Sequence, residues 1–375
     1  MSFGTNARLG SFYLLFFTYA GLWVAYLPPY FAARGLGAAE IAWVLALPQL
    51  ARVVAPAAWG TLADRTGAQR AIVVFACAAN ALCFALLPFV GGFAGIAWLM
   101  ALTSLASTAA LPLVEAITLG ALAGQPGRYG PIRLWGSIGF MAAVSAGGAW
   151  LDFRGQQLPL AMLAFALGTV AVATLLPSAP VHLVARGTKL PLTGAAAALL
   201  GSAFCIAAAH GTLYAFFTLH LQGEGYGGSL IGFLWMLGVL AEIVVFLFLP
   251  ALFRRFALSS ILVASAAFGV LRFLAIGWAA DWLALLVVAQ LLHAATFGSF
   301  HAAAVAAVQR VFPAHAQARG QSLFSSIGYG AGGAFGAVSA GWAWEAAGPG
   351  LAFTVSAVAA AAGLLLAYPL KRAGL

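Results

Sequence analysis

Ile41-Ala-Trp-Val-Leu-Ala-Leu-Pro-Gln-Leu-Ala-Arg-Val-Val54 recurs 190 residues later as Ile231-Gly-Phe-Leu-Trp-Met-Leu-Gly-Val-Leu-Ala-Glu-Ile-Val244. Five of the fourteen positions are identical, and most others exchange one apolar residue for another. Apolar stretches match by chance easily, so this alignment gains weight only from its companions. The same offset lays Asp64-Arg65 over Arg254-Arg255, each just after the second apolar segment of its copy. Farther along, Ser137-Ile-Gly-Phe140 matches Ser326-Ile-Gly-Tyr329, and Ser145-Ala-Gly-Gly-Ala-Trp150 matches Ser339-Ala-Gly-Trp-Ala-Trp344. Three matches in order, at offsets of 189–194, indicate two parallel repeats. One aligned position changes sign: Arg52 in the first copy is Glu242 in the second.

The composition says where such a repeat can live. Of 375 residues, 64% are hydrophobic and 7% charged, and the mean hydropathy is +1.02. A soluble domain carries about a quarter of its residues as charges. This chain could not coat a water-facing surface, which excludes a soluble enzyme or nucleic-acid binder. Cys77, Cys83 and Cys205 lie in apolar runs with no CxxC pair and no His at ligand spacing, so they read as small buried hydrophobes, with no metal site and no cofactor. The run from Leu9 to Ala33 lacks a small-residue cleavage site and reads as a retained first helix.

A membrane crossing takes about 20 apolar residues. Breaks at Gly, Pro and charges give twelve spans: 10–32, 38–60, 70–90, 95–121, 131–151 and 159–177, then 193–220, 229–250, 257–277, 282–308, 318–342 and 349–369. The expected fold class is thus all-α integral membrane: an amino-terminal six-helix bundle over 1–177, a cytoplasmic linker over 178–192, and a carboxy-terminal bundle over 193–375. With the N-terminus inside, thirteen basic residues fall on the cytoplasmic side: Arg8, Arg65, Arg70, Arg128, Arg133, Arg186, Lys189, Arg254, Arg255, Arg310, Arg319, Lys371 and Arg372. Two, Arg34 and Arg154, fall outside. That asymmetry puts both termini in the cytoplasm and explains the net charge of +9 without nucleic acid.

The turn after the second span reads Gly60-Thr-Leu-Ala-Asp-Arg-Thr-Gly-Ala-Gln-Arg70. It resembles the signature of the major facilitator superfamily, which implies a gating loop built on Asp64, Arg65 and Arg70. The segments Tyr129-Gly-Pro-Ile-Arg-Leu-Trp-Gly-Ser-Ile-Gly-Phe140, Gly232-Phe-Leu-Trp235, Leu240-Ala-Glu-Ile243, Leu252-Phe-Arg-Arg255 and Gln290-Leu-Leu-His293 resemble the phenylpropionate permease family, whose members are taken to be proton symporters of small aromatic carboxylates. That family is similar in turn to lactose permease. On this resemblance Val114-Glu115-Ala116 and Arg133, eighteen residues on, match a substrate-binding ion pair, and Glu242, Arg272 and His293 match the residues around the proton site. Two positions depart from lactose permease: Thr296 stands where its helix-ten glutamate would be, and Phe140 where a tryptophan stacks on the sugar. The second departure argues against a galactoside.

Ionisable groups at bilayer depth are costly unless paired and mark function by default. Four charges qualify, Arg52, Glu115, Glu242 and Arg272, beside His210, His293 and His301. Glu242 is the expected proton carrier, loaded and released as Arg272 or Arg52 moves relative to it; the competing reading is a static pair between helices. His293 can relay a proton or bind substrate, or be a satisfied interhelical contact. For His210 and His301 the structural reading is the stronger. Arg133 offers a carboxylate a planar fork, yet could be an ordinary cytoplasmic anchor. Arg52 has a similar claim, and Tyr19, Trp23, Tyr214 and Phe217 could stack an aromatic ring or simply pack. The glycines Gly328, Gly330, Gly332, Gly333 and Gly336 permit close helix contact and sliding.

The sequence thus points to a secondary transporter of the bacterial inner membrane, a monomer with proton, small molecule and lipid as its partners. It would import a small, aromatic carboxylate such as 3-phenylpropionate by alternating access. The alternatives are a proton symporter of a sugar or nucleoside, or an exporter of amphiphiles. No loop is long enough for a catalytic cluster, so an enzyme is not expected, and no GxxxxGK[ST] exists to drive a pump.

Overall fold

The structure, a computed structural model, describes residues 3–122, 128–177, 192–372 and 374. All but Leu192 of the linker expected over 178–192, with its Arg186 and Lys189, lies outside the described residues. Among the described residues the regular structure is entirely helical.

Ten helical stretches are long and apolar enough to cross a membrane. They include α1 (Phe3–Ala33), α2 (Ala38–Thr66), α3 (Gln69–Leu86) and α4 (Gly92–Ala121). They continue with α6 (Leu158–Thr174), α7 (Gly194–Gly223), α8 (Gly228–Arg255), α9 (Leu258–Trp278) and α10 (Leu283–Val311). The last stretch, Arg319–Lys371, is two spans, because the backbone leaves the helical region at Ala347 and Gly348 just before Pro349. We call them α11 (317–346) and α12 (349–367). The 26-residue helix α5 (Tyr129–Arg154) completes twelve among the described residues.

The repeat seen in sequence is present in the backbone. After α1, Gly35 has φ +84°, the amide of Gly35 donates to Ala32 and that of Leu36 to Phe31. After α7, Gly225 has φ +85°, its amide donates to Gln222 and that of Tyr226 to Leu221. These are two copies of one Schellman turn, 190 residues apart, and each needs a residue tolerant of positive φ. The next helices start at Ala38 and Gly228, again 190 apart.

Contacts divide the chain into two compact units. One comprises Met1–Leu36, Val54–Ala185 and Gly227–Gly232; the other comprises Gly37–Val53, Arg186–Tyr226 and Phe233–Leu375. The first is built on Leu9, Phe12, Tyr13, Val73, Ala76, Val114 and Ile117, with α5 laid along α1 at glycines. A Cβ at Gly139 would run into the carbonyl of Leu14, and Tyr26 hydrogen-bonds the carbonyl of Val144. In the second unit α7 meets α11 where Gly211, Gly332 and Gly336 bring backbones together. The glycines of α11 thus serve tight packing, as small residues do between membrane helices. Cys77 and Cys83 are buried free thiols. Large apolar side chains such as Phe89, Trp98, Leu247, Leu271 and Leu365 are exposed, which suits a lipid-facing surface.

Candidate functional site

In the second unit a polar cluster forms around Arg272, whose side chain on α9 is completely buried. Its Nε donates to the carbonyl of Ala289 (2.8 Å), Nη1 to Thr296 Oγ1 (3.1 Å) and Nη2 to Gln290 Oε1 (3.3 Å), while His210 Nε2 lies 3.4 Å from Nη1. His210 Nδ1 is 2.8 Å from the carbonyl of Ile206 and so carries the proton, which turns the Nε2 lone pair toward the guanidinium. The guanidinium is therefore held by neutral acceptors, and among the described residues no carboxylate in contact cancels its charge.

Glu242 belongs to a neighbouring arrangement. Its Oε2 lies 3.8 Å from Nε2 of His293 on α10. A Cβ at Gly298 would come within 2.9 Å of Glu242 Cγ, so a glycine is what leaves room for this side chain. Gly298 falls in a wider π-helical turn, Ala294–Ser299, of the kind that recurs at functional sites. His293 stacks on Phe297 (5.2 Å, 7°), and Phe297 on His301 (6.3 Å, 11°), whose Nδ1 is bonded to Tyr329 Oη. The His210 ring is 5.9 Å from that of His293. Tyr214 stacks on Trp235 (6.3 Å, 10°) and faces His210. Arg52, which clusters with this unit, donates to Gln49 Oε1 at 3.1 Å.

The first unit holds the other group. Tyr129 Oη donates to Glu115 Oε1 at 3.4 Å. The guanidinium of Arg133 lies over the Phe17 ring at 4.0 Å and the Tyr13 ring at 5.6 Å. Gly136 makes the stack possible, since a Cβ there would strike both Arg133 and Phe17. Among the described residues Arg133 and Glu115 do not form an ion pair within 4.0 Å; the aromatic stack has taken the guanidinium instead. Tyr19 accepts from Asn80 Nδ2 (3.1 Å) and packs on Phe84. Phe140 lies on α5 beside Gly21 of α1.

The turn carrying Asp64, Arg65 and Arg70 closes on Gly67, with φ +66°. Arg70 reaches the carbonyl of Leu176 (3.4 Å) and Arg8 that of Leu175 (3.5 Å), so two arginines meet the carbonyls just past the end of α6. Sequence reasoning had no sight of Gln290 and Thr296 as partners of Arg272, of Phe17 beneath Arg133, or of the His301–Tyr329 bond. Apolar and neutral residues in a membrane helix carry no signal of their own, and nothing in the sequence marks Gly136 or Gly298 as the positions that make room for Arg133 and Glu242.

Twelve membrane-length helices in two repeats, with a buried arginine and partly buried carboxylates among them, are the architecture of a secondary transporter of the major facilitator type. The chain matches the MFS_1 like family over residues 6–355 and belongs to it. It is 30% identical over 280 residues to the probable 3-phenylpropionic acid transporter of Escherichia coli (strain K12), covering 71% of this chain and 73% of that one. It is 27% identical over 348 residues to the maltose permease of Geobacillus stearothermophilus, covering 89% and 86%. Among solved structures, that of the nucleoside transporter NupG superposes with a TM-score of 0.84 at 20% identity, covering 98% of this chain and 98% of that one, which establishes the shared fold.

Proposed function

We propose that this chain imports a small organic carboxylate of the 3-phenylpropionate type together with a proton, by alternating access of the bodies 1–177 and 193–375 in a bacterial plasma membrane. Both termini lie in the cytoplasm and the carrier works as a monomer, without cofactor. The observation that carries the coupling is the Glu242–His293 contact at 3.8 Å. At that distance the carboxyl and the imidazole stand just outside hydrogen-bond reach, so a small approach lets a proton pass between them, and both sit on membrane-length helices. Arg272, held in its own set of neutral acceptors, supplies a standing positive charge nearby. In the first unit Arg133, backed by Phe17, offers a planar fork to the substrate carboxylate, with Glu115, Tyr19 and Phe140 near it in the same unit. Tyr214, His210 and Arg52 are the corresponding contacts in the second unit. Asp64, Arg65 and Arg70 form the cytoplasmic gating loop.

The name of the Escherichia coli relative supports the aromatic acid. The maltose permease and NupG supply the second reading, a sugar or nucleoside symporter. A thermal-shift screen of the purified protein separates them, because a true ligand stabilises the folded state by mass action. 3-Phenylpropionate is expected to raise the midpoint, and maltose and uridine to leave it unmoved. For coupling, uptake into vesicles collapses with an uncoupler, and Glu242→Gln abolishes accumulation while sparing exchange. Uptake indifferent to the proton gradient would sink the symport reading.

A further inference from the structure

Two carboxylates outside the groups described above meet helix starts in the same way. Asp152, in the last turn of α5, accepts the amide of Gly228 with both oxygens, each at 2.9 Å. Glu345, near the end of α11, accepts the amide of Ala39 through Oε1 at 2.9 Å. Gly228 and Ala39 are in the first turns of α8 and α2, whose amides have no intrahelical acceptor. The carboxylates stand 193 residues apart and the amides 189, so one contact is the repeat image of the other. Each joins a helix of one repeat to a helix of the other. This is why contacts group Gly227–Gly232 with the first unit and Gly37–Val53 with the second.

Small residues let the backbones close behind each carboxylate. A Cβ at Gly148 would strike the carbonyl of Gly228, and one at Gly232 the carbonyl of Val144. On the other side a Cβ at Gly341 would strike Ala42 and reach the backbone of Ala38 and Ala39. Both contacts belong to the membrane face that the basic residues assign as external.

We propose that Asp152 and Glu345 are paired latches that hold the external ends of α8 and α2, and that their joint release sets how often the carrier opens outward. A carboxylate on a helix N-terminus suits such a latch. It gains from the helix dipole while seated, and water replaces it readily because both side chains are exposed. The inference rests on alternating access and on no particular substrate or coupling ion.

Ser145 provides the reporter. It lies on α5 one to two turns before Asp152, its Oγ is buried without a partner among the described residues, and its carbonyl is 3.2 Å from where a Gly232 Cβ would stand. The full chain would have Cys77, Cys83 and Cys205 replaced by alanine and carry Ser145→Cys. It would be labelled from outside right-side-out vesicles with a membrane-impermeant maleimide, without any substrate. Asp152→Ala is expected to speed labelling by about three- to thirtyfold, the range for loss of a helix cap, and Asp152→Glu to recover most of the slow rate. The deciding arm is Glu345→Ala, which touches the other latch and must speed labelling at Ser145→Cys as well. A rate unchanged by Glu345→Ala in protein that elutes as a single folded species overturns the proposal, because two independent helix caps would behave that way. Should either alanine variant fail to accumulate, Asp152→Asn and Glu345→Gln keep an acceptor oxygen but remove the charge, and each is expected to speed labelling at Ser145→Cys by about two- to fivefold, with an unchanged rate for Glu345→Gln overturning the proposal in the same way.

Discussion

Thr296 shows how much one side chain means at bilayer depth. Read in sequence, it is the place where a lactose-permease glutamate is missing. In the structure its hydroxyl accepts Nη1 of the fully buried Arg272 at 3.1 Å. A hydrogen bond to a charged group contributes more than a neutral one, and losing it leaves a buried N–H short of a partner. Thr296→Val, which keeps the shape, is expected to cost about 1.5–3 kcal/mol, and Thr296→Ser less than about 1 kcal/mol. Thermal unfolding in detergent measures both. Equal losses would mean that the methyl group, not the hydroxyl, is what matters there. The charges of this cluster were legible in sequence, because Arg272 and Glu242 stand out of apolar runs. Their further partnerships were not: nothing in the apolar runs announces that Glu242 lies against His293, or that Arg272 is bonded to Ala289, Gln290 and Thr296. Spacing along a helix gives the face of a residue but not which of several neighbouring helices will reach it.

Helix extents were legible to within several residues, since Gly, Pro and charge end an apolar run wherever it lies. The irregular turns inside the helices were not. The π-helical segments Ala294–Ser299 and Ser325–Gly332 look in sequence like any other small-residue stretch, and their close approach to Glu242 and α7 is seen only in the structure. The turns at the helix ends invite a sharper test. Gly35 and Gly225 adopt positive φ with nothing within 4 Å of a hypothetical Cβ, so alanine there meets no obstacle and pays only in backbone conformation. Each of Gly35→Ala and Gly225→Ala is expected to lose about 1–2 kcal/mol, and asparagine less, because its short side chain tolerates the left-handed region. Because the two turns are one motif used twice, the two losses should agree within about 0.5 kcal/mol, inside the range over which separated sites behave independently. Unequal losses would show that the surroundings, not the turn, set the cost.

At the scale of the whole molecule, the repeat and the membrane class could be read from 190-residue periodicity and from charge scarcity alone. What the sequence could not reveal is that α2 and α8 are each shared between units, since that depends on contacts at Gly148, Gly232 and Gly341 that no local pattern announces. The same scale carries the prediction of orientation. An even number of crossings places both ends of the chain on one side. Thirteen basic residues on that side against Arg34 and Arg154 on the other predict it to be the cytoplasmic one, because Lys and Arg flanking short loops resist translocation. Alkaline phosphatase folds only outside the cytoplasm and green fluorescent protein fluoresces best within it. Fusions after Arg372 and in the turn at Gly67 should therefore give fluorescence without phosphatase activity. Insertions beside Gly35 and Gly225 should give the reverse. Phosphatase activity after Arg372 would mean an odd number of crossings, and the obvious suspect would be α5, the membrane-length helix with Arg133, Asp152 and Arg154 at its ends. Phosphatase activity at Gly67 together with its absence at Gly35 would instead invert the whole chain. In that event Asp152 and Glu345 would be latches on the cytoplasmic face, and the maleimide at Ser145→Cys would have to be supplied from within.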